Sequence, residues 1–385
     1  MLDIGYVVVG AGLSGAVIAE RIANELGEKV LVVERRGHVG GNCHDYLDPT
    51  GIIVHSHGPH LFHTDDRRVF EYLSNFTDWR LYFHRVLAFV DGKKVPLPFN
   101  FRSMDVLFPE RLSDELKEKL ISRYGYGARV PILDLKSSGD EGLAFLADFV
   151  YEKIFKNYTL KQWGSLPEEI DPSVSARVPV YVSYQEGYFS DRYQAVPVDG
   201  YSRMIRRMLS SRNVKLLLNT DFGEIGGVDF DSGKVYLFGQ EFRGKFVFTG
   251  MIDELMGYRF GVLPYRSLRF DFKTYDLDYF QDAASVNYPN NHDFTRITEF
   301  KHIHPPLCCV KKTVVAFEYP KECGLHDIPY YPVFTSGAQE AYFRYRELAR
   351  RVENLVLVGR LAEYRYYDMD DAVKRALDVF EGEIL

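Results

Sequence analysis

The sequence predicts an α/β protein: a discontinuous, Rossmann-like parallel-sheet domain carrying an inserted helical domain and an antiparallel β-sheet domain. Three observations carry that expectation. The N-terminal stretch reads strand, glycine turn, helix, strand, acid. The hydrophobic period then turns helical between about Ser103 and Trp163, and the tail after Ala338 returns to helix, buried strand and glycine turn.

The apolar run Tyr6 to Val9 leads into Gly10-Ala-Gly12-Leu13-Ser14-Gly15, then a helical stretch from Ala16 to Leu26, then Val30 to Val33 closed by Glu34. This is the fingerprint of a dinucleotide-binding βαβ unit. Gly10 permits the tight turn, Gly12 lets backbone approach a pyrophosphate, and Gly15 lets helix and strand pack closely. The helix N-terminus adds free N–H groups and partial positive charge. Glu34, 19 residues after Gly15, sits where a carboxylate binds ribose hydroxyls. Arg35 is followed after four residues by Gly40-Gly41-Asn42, a second glycine turn that a plain nicotinamide dehydrogenase does not need. The doubled turn resembles the FAD-binding class shared by amine oxidases, desaturases and sugar mutases.

At 385 residues the chain is long enough for two or three units. Its 47 basic and 54 acidic residues give a net charge of −7, which disfavours nucleic acid as a partner, so a polyanionic ligand must meet locally placed arginines. The four cysteines, Cys43, Cys308, Cys309 and Cys323, have neither metal spacing nor a disulfide framework, which suits a reducing cytosol. The first apolar run lacks a basic n-region and is broken by glycines, and no apolar stretch approaches the roughly 20 residues that span a bilayer. A cytoplasmic protein without a transmembrane segment is expected. Tyrosines grouped beside arginines suit a ligand with a flat base and phosphates, and 27 Tyr make that worth following.

Four histidines lie within His55-Ser-His57-Gly58-Pro59-His60-Leu-Phe-His63. Gly58-Pro59 interrupts any helix and no cysteine or carboxylate falls among them, so no metal site is expected. Asp66 to Phe76 reads as a helix, and Trp79 to Phe89 as one strand running to the Asp91-Gly92 hairpin signal. Helices follow at Asp105 to Phe108, Ser113 to Tyr124 and Gly142 to Phe155, an insertion of about 60 to 70 residues. The proline-flanked segment around Arg177 reads as a surface loop able to move. Strands are expected at Pro179 to Tyr184 and through Tyr188 to Tyr193, with Tyr265 to Phe272 and Ser285 to Tyr288 alternating as antiparallel strands should. The predicted division is residues 1–80, 194–250 and 338–385 for the FAD-binding domain and 100–170 for the helical insertion, with a mobile loop at 165–180. Residues 81–99, 180–193 and 251–337 form the sheet domain. At the tail, Gly359-Arg360 and the helix entered through Asp368 deliver a turn and a helix dipole to the sheet's carboxyl edge, where negative charge is stabilised.

Gly58-Pro-His60-Leu-Phe-His63-Thr64, Tyr158-Thr with Lys161-Gln-Trp163, Pro197-Val-Asp-Gly200-Tyr201, Tyr265-Arg-Ser-Leu-Arg269-Phe, and Gly359-Arg-Leu with Tyr364-Arg-Tyr366 and Asp368-Met369-Asp370 together resemble bacterial UDP-galactopyranose mutase. The likeness runs from Gly10 to the last helix. It implies a flavoprotein isomerase, often dimeric, that interconverts UDP-galactopyranose and UDP-galactofuranose for cell-surface glycans. No net redox change occurs, yet FAD must be reduced, by NAD(P)H or another reductant, so that flavin N5 forms a covalent adduct with the sugar. The protein then binds, orients and sets charge. The resemblance places His60 beside the flavin, with Arg360, Asp368 and Met369 in the flavin domain, and gives Arg177 and Arg296 the diphosphate. It gives Phe155, Tyr158, Trp163, Tyr188, Arg266, Tyr330, Tyr331 and Tyr366 the substrate, while a structural pairing of Arg360 with Asp368 stands as the alternative use of those two. His84 departs from an expected asparagine, which bears on the sugar pocket.

Two other readings share these features. A flavin oxidoreductase related to amine oxidases or desaturases predicts flavin reduction by substrate. A non-catalytic module resembling GDP-dissociation inhibitors has no use for Glu34 and Gly40-Gly41 as cofactor ligands. The residues leave the sugar open among galactose, its N-acetyl form and arabinopyranose. Arg177→Ala is expected to cut turnover by at least about a hundredfold, as loss of a charged clamp does; steady-state kinetics with near-normal turnover would remove Arg177 from the mechanism.

Overall fold

The computed structural model describes residues 4–164, 179–306 and 309–385. Five short strands form one parallel sheet in the order Val214–Leu217, Val30–Val33, Tyr6–Val9, Lys245–Phe248 and Leu355–Leu357. Neighbours in space therefore come from both ends and the middle of the chain. The strand sequences are almost unbroken Val, Leu and Phe because both faces are covered. Val8, Val30, Val32 and Val247 enter a core shared with the helices Leu13–Arg21, Tyr201–Met208 and Met369–Val379. Val7, Leu31, Val33 and Phe246 point the other way, into a core that includes Tyr345 and Leu348 of the helix Ser336–Ala349.

The first helix begins at Leu13, three residues before the predicted start, because Gly12 takes the extended N-cap conformation (φ −80°, ψ −172°). Its last turn widens into a π-turn, Ile22–Leu26, that ends on left-handed Gly27. A Cβ on Gly15 would stand 2.0 Å from the carbonyl oxygen of Gly10. Helix and strand meet here at backbone distance.

The second large sheet has seven strands, ordered Tyr331–Pro332, Tyr265–Tyr275, Thr313–Glu322, Arg296–Glu299, Ser285–Asn287, Val86–Val90 and Lys93–Leu97. It is mixed. Ser285–Asn287 pairs antiparallel with Arg296–Glu299 but parallel with Val86–Ala88, which departs from the purely antiparallel expectation. The run Trp79 to Phe89 is two strands rather than one. Trp79–Leu81 pairs with Tyr193–Pro197, whereas Val86–Val90 pairs with Lys93–Leu97, so residues 82–85 cross between sheets. That crossing carries His84 into the interior, where it is 4% exposed. The expected strands through Tyr184 and Tyr188 shorten to Pro179–Tyr181 and Tyr193–Pro197, with the aromatic residues between them in irregular structure.

Helices Phe101–Leu107, Glu110–Tyr124, Ile132–Lys136 and Glu141–Val150 enclose a third core containing Phe99, Leu120, Leu146 and Val150. Asn100 and Ser103 start the first of them with reciprocal caps, and Asp140 caps the last by accepting from the Leu143 N–H at 3.0 Å. The chain continues through the turn Tyr151–Phe155 into Lys156–Trp163. Among the described residues, no helix is long and apolar enough to cross a membrane. Gly15→Ala should cost about 1–3 kcal/mol of unfolding free energy by overpacking; urea denaturation of the purified protein measures it, and an unchanged midpoint would contradict this contact.

Candidate functional site

At the carboxyl edge of the parallel sheet the chain encloses a cavity of about 900 Å³. Its wall includes Gly10, Gly12, Leu13, Ser14, Gly15, Glu34, Arg35, Gly41, Asn42, His60, Arg360, Asp368 and Met369, all expected from the sequence to serve a cofactor. The backbone here is bare for steric reasons. Gly10 has φ 104°, and a Cβ there would lie 2.0 Å from Thr249 Oγ1. A Cβ on Gly41 would lie 3.1 Å from Gly12 Cα, so the second glycine turn rests on the first.

Glu34 is 6% exposed, and its carboxylate accepts the Ala11 and Arg36 main-chain N–H groups, one per oxygen, each at 2.9 Å. Each oxygen keeps lone-pair capacity for a hydroxyl. Arg35 lines the cavity, but its guanidinium is held by Glu254 at 2.8 Å and Asp221 at 3.4 Å. The neighbouring Arg36 is differently placed. Its Nη2 donates to Asn42 Oδ1 at 3.1 Å, while its buried Nη1 has no partner among the described residues. Burial lowers the pKa of this guanidinium, so an anion beside it would be strongly favoured. Arg36 was not expected from the sequence; the available signal was the alternation of side chains leaving a strand, which sets it with Glu34 rather than Arg35.

His60 donates from Nδ1 to the Gly58 carbonyl at 2.9 Å, which leaves Nε2 as an acceptor. Burial first, and then the charge of Arg360, lower its pKa to about 4, so the ring is neutral. His57, also unforeseen, binds Tyr330 Oη through Nδ1 at 3.0 Å, and its buried Nε2 has no partner among the described residues. Its pKa falls to about 3 through burial and the nearby Arg36. Arg360 donates to the carbonyls of Tyr330 and Tyr367, each at 3.1 Å, and lies 5.5 Å from the ring centres of Tyr331 and Tyr366. The alternative pairing with Asp368 is not formed: Asp368 precedes the Met369–Val379 helix, and its N–H donates to Asp371 Oδ2 at 3.2 Å.

A second cluster adjoins this wall. Arg296 Nη2 donates to Tyr158 Oη at 2.8 Å, so the Tyr158 hydroxyl proton remains available to an acceptor. Arg296 Nε is buried without a partner among the described residues. Burial opposes its charge, but Tyr158 and Glu318 outweigh that and hold the pKa above the usual arginine value. Burial raises the Tyr158 pKa to about 12. Glu318, opposite Arg296 across the strands and 4% exposed, was also unforeseen; its signal is a lone carboxylate after the apolar run Val314 to Phe317. Tyr188 is 40% exposed and rests edge-on against His84, a ring pushed to about 3 by burial and by Arg296.

Other expected residues are placed differently. Arg266 donates to the carbonyls of Gln162 and Lys161 at 3.0 and 3.1 Å, pinning the end of the Lys156–Trp163 helix. Phe155 is 7% exposed within the helical core. Arg177 and the Trp163 side chain lie outside the described residues.

Asp45, His55 and His304 offer ligand atoms within 4.8 Å of one another, the one metal-like grouping among the described residues. Their hydrogen bonds oppose that use. The Asp45 oxygens accept the Tyr201 and Ser202 N–H groups at 2.6 and 2.9 Å, capping a helix. His55 Nδ1 accepts the His60 N–H at 3.0 Å, so a metal on its other nitrogen would require an imidazolate.

The cavity fits a dinucleotide: bare backbone at a helix N-terminus, a carboxylate with spare lone pairs, and an arginine with an unsatisfied donor. Residues 153–366 match a family model described as UDP-galactopyranose mutase, and residues 8–76 match one described as an NAD(P)-binding Rossmann-like domain. The chain is 36% identical over 377 residues to a probable UDP-galactopyranose mutase of Klebsiella pneumoniae, covering 96% of this chain and 92% of that one. It is 34% identical to a dTDP-fucopyranose mutase of Escherichia coli, covering 96% of each chain. A solved structure of reduced UDP-galactopyranose mutase superposes with a TM-score of 0.74 at 15% identity, covering 100% of this chain and 94% of the other. Putrescine oxidase superposes with a TM-score of 0.59 at 13% identity, covering 100% and 99%. The glycine turns, the cavity they form and these likenesses together show that the chain belongs to the UDP-galactopyranose mutase family.

Proposed function

We propose that this chain is an FAD-dependent isomerase that interconverts UDP-galactopyranose and UDP-galactofuranose. The observation that carries this reading is the shared wall at Arg360. Its guanidinium borders the dinucleotide cavity and lies over Tyr331 and Tyr366, while Tyr331 also feels the Glu318 and Arg296 charges of the second cluster. In this reading Arg296, across the strands from Glu318, which itself lies against Gly58 between the wall residues His57 and His60, is the cation that meets the diphosphate.

In this reading Gly10 to Gly15, Glu34, Arg36 and Asn42 hold the FAD, and the Met369–Val379 helix turns its N-terminus towards negative charge on it. Reduced FAD would supply an electron-rich nitrogen nucleophile for the anomeric carbon. The chain does the rest. Arg296, buried and charged, receives the diphosphate of the departing UDP through Nε, which has no partner among the described residues, and Tyr158 Oη donates its hydroxyl proton to a phosphate oxygen. Neutral His60 offers Nε2 as an acceptor beside the cofactor. The reading includes a cytoplasmic homodimer that supplies galactofuranose for cell-surface glycans and is reduced by NAD(P)H or another reductant.

The experiment is incubation of FAD-loaded protein with UDP-galactofuranose under dithionite, followed by chromatography for the pyranose. Conversion that stops when the flavin is reoxidised is expected. No conversion by reduced, loaded enzyme would overturn the assignment, and preferential turnover of dTDP-fucofuranose in a parallel reaction would move it to the chemistry named for the Escherichia coli relative. Arg296→Ala should lower kcat by about a hundredfold or more, the scale set by removing one preorganised charge-stabilising donor. Wild-type kcat in that variant would take the arginine out of the mechanism.

A further inference from the structure

The buried pair His55 and His304 has no role in the site as described, yet its hydrogen bonds run in only one consistent direction. The His60 main-chain N–H donates to His55 Nδ1 at 3.0 Å, so in a neutral ring the His55 proton is on Nε2. That Nε2 lies 3.0 Å from His304 Nε2, which must therefore accept, leaving the His304 proton on Nδ1. The two rings are 0% and 5% exposed. Burial holds both neutral, His304 at about 3 with Arg80 adding to the effect, and His55 well below the usual histidine value. Around them stand the Asp45 carboxylate, the rings of Tyr201, Phe300 and His60, and the charge of Arg80. A proton on His304 Nε2 would set two N–H groups against each other, and one on His55 Nδ1 would face the His60 N–H.

The His60 end of this chain reaches the cavity. Its N–H is fixed by His55, and its imidazole folds back so that Nδ1 holds the Gly58 carbonyl. Ser56 bridges to Gly58 and its N–H is held by the His44 carbonyl at 3.0 Å, so the other side of the turn is also tied. We propose that His55 is a positioning residue: with His304 as its acceptor it fixes the main chain at His60, and so sets where the His60 imidazole stands beside the bound flavin. This rests on the flavin reading of the cavity.

The test uses FAD-loaded protein. His55→Phe removes the acceptor for His60, and His304→Leu removes the acceptor for His55. His55→Asn keeps an oxygen near the place of Nδ1, and His304→Gln keeps one for the His55 Nε2–H. The first two variants should bind FAD stoichiometrically with an unchanged KM, but lose about tenfold or more in kcat and shift the flavin's visible absorption and reduction potential. The two conservative variants should return kcat to within about threefold of wild type. Wild-type spectra and kcat in His304→Leu, or no rescue by either conservative variant, would overturn the proposal. Histidine nitrogen NMR of the wild-type protein reads the pair without mutation: Nε2–H on His55 and Nδ1–H on His304 at about pH 6 support it, while reversed tautomers, or stoichiometric Zn²⁺ uptake by the pair, refute it. Failure of the cofactor reading is seen separately, as absence of FAD from the wild-type protein.

Discussion

Backbone meeting backbone at the carboxyl edge of the parallel sheet is the constraint on which this molecule rests. Gly15 lies against the Gly10 carbonyl, where no Cβ fits, and Gly41, at φ 55°, lies against Gly12, where a Cβ would be tight. Glu34 then ties the arrangement by accepting N–H groups from Ala11 in the first turn and Arg36 at the head of the second. The result is a concave surface of main-chain N–H groups, the Glu34 carboxylate and the Arg36 guanidinium, which is incompletely paired among the described residues. Such a surface is costly to leave without a polar, anionic occupant.

Much of this was legible in the sequence because it depends on local rules. Glycine spacing, the acid after the second strand and the apolar strands specify a βαβ unit whatever surrounds them, and the structure has those elements within a few residues of the expected bounds. The same holds for the helices Glu110–Tyr124 and Glu141–Val150, whose apolar spacing and breaking residues are local in sequence. What was not legible depends on tertiary pairing. The break between Trp79–Leu81 and Val86–Val90 is set by partners more than a hundred residues away, Tyr193–Pro197 and Ser285–Asn287. No local pattern announces it.

The cavity wall divides along the same line. Residues that line it through backbone or a helix end were legible in the sequence, whereas Arg36, His57 and the neighbouring Glu318 were not, because what sets them apart is hydrogen bonds unmade among the described residues or charges met only in the fold. Arg35 illustrates the converse. Its position beside Glu34 draws attention, but Glu254 and Asp221, distant in sequence, occupy its guanidinium. Arg266 likewise turns to a helix end.

The five-stranded sheet draws its members from residues 6–9, 30–33, 214–217, 245–248 and 355–357, while the helical core is gathered almost entirely from residues 86 to 182. As the polypeptide emerges during synthesis, the helical unit has all its packing partners long before the sheet acquires its last edge strand. Non-local parallel pairing is slow to assemble. The helical core residues are therefore all present beside an apolar, unfinished sheet until residues 355–357 have been made, the interval in which exposed apolar strands invite aggregation.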